Sequence, residues 1–451
     1  MERKKTAFSV FRHREFAVIW AAAAVSNIGN WMEGVAQGWS VIEQTKDNPV
    51  QSAFLTELLS VADFGPVLLF ALIAGVISDR VNRKVWLFCL QATACVLGAT
   101  LAVIGYMGLL TPGRVIALTF AEGVVWAMNG PVWMSVVPQL VPRDELEYAI
   151  AANSLQFNLA RLIGPVLAGF VITASSVNLA FALNAMTFVP VLLALAWLPN
   201  VPPAKNTRAE SLAQDMLTGL RFTWQDRGTR RLALMCITFM FLSAPLQGLL
   251  AVYASRVLGG GSALYGGMLA CVGMGSVLGA ISLGRIPQYY PRHHLIPLSM
   301  TLFSFFALLY SFSNKTWMSL PLLFFCGIFW LLSINPSNTA TQLLATDEIR
   351  GRVMSVLMIC TQGAAPLGHL CAGALVHVIS LQHTLHYMFG ALLIASIVFL
   401  FFREPAIDRA PVQTVRSPTL FAAVREAITA EQHWPESSTE SVRIPRPGSV
   451  P

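Results

Sequence analysis

Apolar residues run through this chain in long stretches, without the period-two alternation of membrane strands. Twelve such stretches lie near 16–43, 51–78, 85–110, 114–140, 148–173, 178–199, 232–257, 263–285, 295–313, 317–345, 351–379 and 382–402. Each approaches or exceeds the ~20 residues that a helix needs to cross a hydrocarbon core. Backbone groups in lipid must find partners within their own segment, and without alternation the segments read as helices. The pattern predicts an all-α polytopic membrane protein of twelve transmembrane helices.

The polar intervals divide these helices. The longest opens with "PNVPPAKNT" and continues into "SLAQDMLTGLRFTW". Ser211 is placed to cap a short helix there, with Leu212, Met216 and Leu220 along one face. Similar segments recur on either side. "PQLVPRDEL" (138–146) matches "TQLLATDEI" (341–349), and "GPVLAG" (164–169) answers to "APLGHLCAG" (365–373). The expected organisation is two pseudo-symmetric six-helix bundles, 1–199 and 232–402. A linker with a surface helix, 200–231, joins them, and a tail, 403–451, follows. In the tail Ser417 and Pro418 open a possible helix with Leu420, Phe421, Val424 and Ile428 as its stripe, and a Ser/Pro-rich end reads as disordered.

Composition agrees with a lipid environment: 55% of residues are hydrophobic and 12% charged, against roughly a quarter charged in soluble domains. Of the 30 Lys and Arg, all but Lys46, Arg114, Arg256, Lys315 and Arg161 fall on the side that carries both termini. By the positive-inside rule that side is cytoplasmic. The net charge of +7 is then a record of topology and needs no nucleic-acid partner. The basic start "MERKKTAFSVFRHREF" precedes a run too long, and too polar at Glu33, for a signal peptide, so it reads as a retained first span. The seven cysteines all fall in predicted spans without metal-ligand spacing and read as small packing residues. No metal or cofactor is expected.

Charge at bilayer depth is costly, which makes each intramembrane ionisable group a functional candidate. They are Glu33, Glu57, Asp63, Glu122 and Arg161. At about 1.5 Å per residue, Glu33 lies ~27 Å from the cytoplasmic start of its span and Arg161 ~20 Å. Asp63 and Glu122 lie ~18 Å and ~12 Å from the outer starts of theirs. Acids at similar depth can exchange a proton, and a nearby arginine decides which of them titrates. Glu33 ranks first, Asp63 second and Glu122 third. Bland alternatives stay open: Glu57 snorkelling to water, Asp63 and Arg161 as a structural ion pair, and Glu122 facing a wet cavity without titrating. In the second half Gln247, Tyr253, Asn335, Asn338, Gln342, Gln362 and His369 are polar cavity candidates. Trp126 and Trp133 offer flat faces to a substrate, or serve as interfacial anchors.

One short loop carries a more specific pattern. "GVISDRVNRK" (75–84) places Gly75, Asp79, Arg80, Arg83 and Lys84 at the Gly-x3-Asp-Arg-x2-Arg-[Arg/Lys] positions between spans 2 and 3, and resembles the major facilitator superfamily. Within it, "SNIGNWMEGVAQGW" and "NSLQFNLARLIGPVLAGF" look like the branch of enterobactin exporters and macrolide-efflux proteins, over about residues 8–402. The resemblance implies a cytoplasmic latch over Gly75, Asp79, Arg80, Arg83 and Lys84, centred on Asp79 and Arg80, with "RGRVMSV" (350–356) opening the facing helix. Arg83 and Lys84 are equally explained by a solvated loop. It also implies an exporter-type hinge at Gly164, Pro165 and Gly169, for which ordinary close packing is the alternative. The span-4 arginine common in the superfamily's antiporters is replaced by Thr119, with Glu122 where that motif has Gln.

The combined expectation is a monomeric, proton-coupled exporter in a bacterial inner membrane. It moves a small organic molecule, a siderophore or an amphipathic drug, by alternating access. Trp126, Trp133, Gln247, Asn335 and His369 are its possible substrate contacts. An uptake permease of the same fold, or a receptor or scaffold acting through its tail, are the competing readings. No phosphate-binding loop and no nucleophile-and-base constellation appears, so an ATP-driven pump is disfavoured and no enzyme is expected.

Overall fold

A computed structural model describes residues 9–408 except 137–138, 199–211, 284–290 and 347–348, with residues 71–80, 131, 135, 143 and 212–215 given as backbone. The stripe expected in the tail at Leu420 to Ile428 lies outside these residues. Among the described residues there are helices and no strands. The first half comprises α1 (Arg14–Gln44), α2 (Pro49–Arg80), α3 (Arg83–Tyr106), α4 (Pro112–Val136), α5 (Leu146–Ala174) and α6 (Val177–Trp197). A short helix follows, α7 (Leu212–Gln225). The second half holds α8 (Arg227–Ser243), α9 (Pro245–Gly248), α10 (Leu250–Val252), α11 (Ser262–Leu283), α12 (Arg292–Ser311), α13 (Thr316–Leu344), α14 (Arg350–Val378) and α15 (Leu381–Phe401).

Among the described residues eleven stretches are long and apolar enough to cross a membrane, α8 through Val257 counting as one. The sequence predicts twelve. The difference is α1, whose 31 residues would reach about 45 Å at ~1.5 Å each. Its Asn27, Asn30, Glu33 and Gln37 make it too polar to join the others. That polarity is the first sign that α1 faces something other than lipid.

Local chemistry sets the helix starts. Asn82 accepts from the Lys84 and Val85 amides to open α3, Ser176 from Leu179 for α6, Asp226 from Thr229 for α8, and Ser380 from His383 for α15. Each satisfies an amide that has no partner inside its helix. Span 7 is broken: Pro245 follows the end of α8, and a π-helical turn, Tyr253–Val257, succeeds α10. The chain then turns at Gly259, whose φ of 63° favours glycine.

Small residues bring the helices together. α2 packs on α4, α3 on α6, and α1 on α5 and α6; α13 packs on α11 and α12, and α14 on α8. Gly275 of α11 lies against the Phe324 carbonyl and Gly327 of α13 against that of Val272. α7 rests on α14, with Gly219 against the Arg352 backbone, while Leu217, Leu220 and Trp224 stay exposed on its outer side. Residues 403–408, assigned from the sequence to the tail, pack back onto the second half. Ile407 is buried, and Asp408 accepts from the Arg292 amide at 2.9 Å and pairs with His293.

Candidate transport site

The two halves meet along α2 with α14 and α5 with α11. These seam contacts lie away from the basic face that carries Lys84. Thr173 and Ser262 hydroxyls are 3.1 Å apart, and Arg256 donates to the Thr45 carbonyl at 3.1 Å and the Ser52 hydroxyl at 3.4 Å. Gly169 lies against the Ala263 backbone and Gly266 against the Pro165 carbonyl. Gly164 and Pro165 sit inside a continuous α5, and Gly164 lies against Trp31 and the Ile28 carbonyl of α1. Close packing thus accounts for this stretch. On the basic side of the seam Asn335, Thr339 and Gln342 of α13 are exposed.

Three carboxylates gather between α1, α2 and α4. Glu33 is 6% exposed and accepts a hydrogen bond from the Asn184 amide of α6 through Oε2. Glu122 accepts from the Gln37 amide, one turn beyond Glu33 on α1, at 2.7 Å. Asp63 stands exposed on α2. Gly123 makes the cluster possible, because a side chain there would run into the Asp63 and Ala62 carbonyls and push α4 away from α2. Glu33 interacts electrostatically with both Glu122 and Asp63, and those two with each other. Glu33 Oε1 and Glu122 Oε1 are both buried and have no hydrogen-bond partner among the described residues. Buried polar atoms are rarely left so.

An aromatic wall adjoins the acids. Phe157 of α5 meets Trp31 edge-on, with centroids 5.9 Å apart, and stacks near Trp126 at 6.4 Å. Trp126 is 44% exposed, so part of its face is free. The Arg161 guanidinium lies 5.6 Å from the Trp31 ring centre. Arg161 also lines a cavity with Gln247, Leu250, Val272, Phe303 and Trp330 of the second half.

Several sequence assignments change. Arg161 shares a depth with the acids but has no ion pair with them among the described residues; its neighbours are Trp31 and the second half. Trp133 is half-buried and packs against the core at the basic end, away from Trp126 and Phe157. Glu57 does not snorkel: it is 1% exposed and paired with His369, itself 2% exposed, so His369 is closed to a substrate in this conformation. Lys84 donates to the Ala196 and Leu198 carbonyls at the end of α6 in its own half, which is a helix cap and no bridge between halves. Arg83 is buried with Nε unpartnered among the described residues. Gly75, Asp79 and Arg80 end α2 in its backbone-only stretch, so their side chains lie outside the described residues.

Tyr253 is likewise structural. It is fully buried and donates to the Tyr310 carbonyl at 2.8 Å or that of Ser313 at 2.5 Å, fastening the π-helical turn to the end of α12. Tyr253→Phe is expected to cost about 1–3 kcal/mol, the penalty for stranding buried acceptors. Thermal unfolding in detergent would show it; an unchanged melting temperature would mean that the bonds contribute nothing. Sequence reasoning passed over Asn184, Gln37 and Phe157. Asn184 and Gln37 were legible as polar residues inside apolar helices, whereas Phe157 carried no signal.

Comparison with known proteins agrees with this architecture. The chain is similar to the staphyloferrin A transporter of Staphylococcus aureus, 23% identical over 380 residues, covering 83% of this chain and 92% of that one. It is also similar to the multidrug efflux pump Tap of Mycobacterium tuberculosis, 26% identical over 426 residues, with 89% and 96% covered. Among solved structures the nucleoside transporter NupG shares the fold with a TM-score of 0.69 at 14% identity, over 86% of this chain and 99% of that one. The family model described as transmembrane secretion effector matches residues 5–428. The chain therefore belongs to the transmembrane secretion effectors, on the efflux branch of the major facilitator superfamily, and is a multi-pass membrane transporter.

Proposed function

We propose that this transporter exports a small organic molecule in exchange for protons, from a site between the acid cluster and the aromatic wall. The distribution of Lys and Arg supports a cytoplasmic basic face with both termini inside, and the bacterial relatives support a location in a bacterial cell membrane. The conformation is then inward-open, with the seam forming the outer seal. The observation that carries the reading is the cluster of Glu33, Asp63 and Glu122, with buried carboxyl oxygens on Glu33 and Glu122 left unpartnered. Such oxygens suit a proton or a donor group arriving with the substrate. Protonated, the acids remove the cost of burying charge as the cavity closes. Deprotonated toward the cytoplasm, they can receive the substrate.

Trp126, Phe157 and Trp31 supply a flat apolar surface beside the acids, Arg161 a polar contact next to Trp31, and Gln247 and the exposed Asn335 polar contacts from the second half. That mixture fits an amphipathic drug or a siderophore, cargoes suggested by the relatives named above. Gly164, Pro165 and Gly169 would serve as the packed pivot against α1 and α11, and Asp79 with Arg80 as a cytoplasmic latch formed in the opposite state. Trp126→Ala should raise KM several-fold while kcat changes little, because stacking is lost equally from ground state and transition state. An unchanged KM would remove Trp126 from the site.

The decisive experiment is proton movement in vesicles holding the purified protein, with an imposed pH gradient and a siderophore or an amphipathic drug added. Substrate-dependent collapse of the gradient is the expected result. Transport without proton movement would overturn antiport and leave sodium coupling or facilitated diffusion.

A further inference from the structure

Glu57 and His369 form a buried pair for which transport, as described so far, has no use. Glu57 lies on α2 and His369 on α14, so their bond crosses the seam; Glu57 Oε2 and His369 Nδ1 are 2.5 Å apart. Glu57 Oε1 is buried without a partner among the described residues. The surroundings are tight. A side-chain carbon at Gly248 of α9 would collide with the Glu57 carboxylate, and one at Gly373 would press on its Cβ at 3.3 Å. The Phe64 ring lies parallel to the imidazole, with centroids 6.3 Å apart.

Few charged or titratable groups surround the pair. On α2 there is Asp63, whose carboxylate interacts with the His369 charge. On α14 there is His377, packed on Phe54 at 5.0 Å. From the broken span 7 comes Arg256, held by the Thr45 carbonyl and Ser52. From α1 and α4, Glu33 and Glu122 act on Asp63. The pair therefore lies between the outer ends of the bundle and the acid cluster.

We propose that Glu57 and His369 are a proton-operated lock on the outer seal, closing with one shared proton and parting without it. When α2 and α14 separate, both groups meet outside water. A solvated carboxylate is ionised at neutral pH, and a solvated imidazole, near pKa 6.5, is mostly neutral above it. The separated pair then carries a net charge of minus one. Burying that charge is costly. Closure takes one proton from the outside water, which rests on Nδ1 or Oε2 and leaves the buried pair neutral overall; opening gives it back.

The sign follows from linkage. Above about pH 6.5 the closed state binds one more proton than the open one, so the closed-to-open ratio should fall about tenfold per pH unit. Below about 6.5 the open imidazole is already protonated and the dependence flattens. This inference rests on alternating access but not on Glu33 as the coupling acid. Closure can be read without substrate or proton flux, so either idea can fail while the other stands.

The test is hydrogen–deuterium exchange on the full chain in lipid nanodiscs, from pH 6 to 8.5, corrected for intrinsic exchange and read over residues 49–60 and 369–380. In the wild type, opening at both segments should rise with pH at up to tenfold per unit. Glu57→Gln, neutral at every pH and able to donate to the imidazole, should stay protected with no slope. His369→Gln should be open throughout the range, since Glu57 then closes only if it is itself protonated. A flat wild-type profile, a wild-type slope in Glu57→Gln, or protection of both segments in His369→Gln overturns the proposal.

Discussion

Glu33→Gln is expected to reduce substrate-driven proton movement in vesicles on the order of 100-fold, near the upper end of couplings worth 1–3 kcal/mol. Glutamine matches glutamate in size, and its amide oxygen can still accept from Asn184, so the packing around Gly98 and Asn184 should survive. What it loses is the ability to carry a proton. Glu33 also interacts with both other acids, so neutralising it alters their titration as well. Glu122→Gln should have a smaller effect, because Glu122 is only half-buried and its charge costs less than that of the buried Glu33. Proton movement within twofold of wild type in Glu33→Gln, with both proteins inserted equally, would move the coupling role to Asp63 or Glu122.

The second large effect should come from a site with no chemistry. At Gly275 and Gly327 the backbones of α11 and α13 lie so close that any β-carbon would occupy the space of a facing carbonyl oxygen. The obstacle is backbone, which cannot rotate aside as a side chain can. Alanine at either position should cost about 1–3 kcal/mol by overpacking, and valine more. The double replacement should leave no folded protein, as the two contacts are opposite faces of one crossing. Thermal unfolding in detergent and yield of monodisperse protein would measure this. A double variant that melts within a few degrees of wild type would show that the crossing is looser than it stands here.

The seam shows how sequence and fold divide the information about function. Spans 2 and 11 each hold one buried titratable residue near their outer ends, an acid and a histidine. Taken singly, Glu57 near a helix end suggested snorkelling and His369 suggested a polar lining residue. Only their pairing across the two halves makes them a lock. Arg161 teaches the converse: equal depth along a helix suggested an ion pair with Asp63, but depth fixes one coordinate and rotation about the helix axis fixes the other. The rotation of α5 turns Arg161 toward Trp31 and the second half.

What the sequence determined by itself was everything governed by the solvent: the helical class, where the spans begin and end, and the side on which the bases collect. Those follow from length and hydropathy, which are local properties, and from the cost of leaving backbone groups unpaired in lipid. Tertiary structure alone decided which of the polar groups meet. Asn184 with Glu33, Gln37 with Glu122 and Glu57 with His369 join residues on different helices. Their meeting depends on crossing angles and rotations set by glycine contacts such as Gly123 on α2. No periodicity in a single helix encodes that choice, since it is made by the neighbour against which the helix packs.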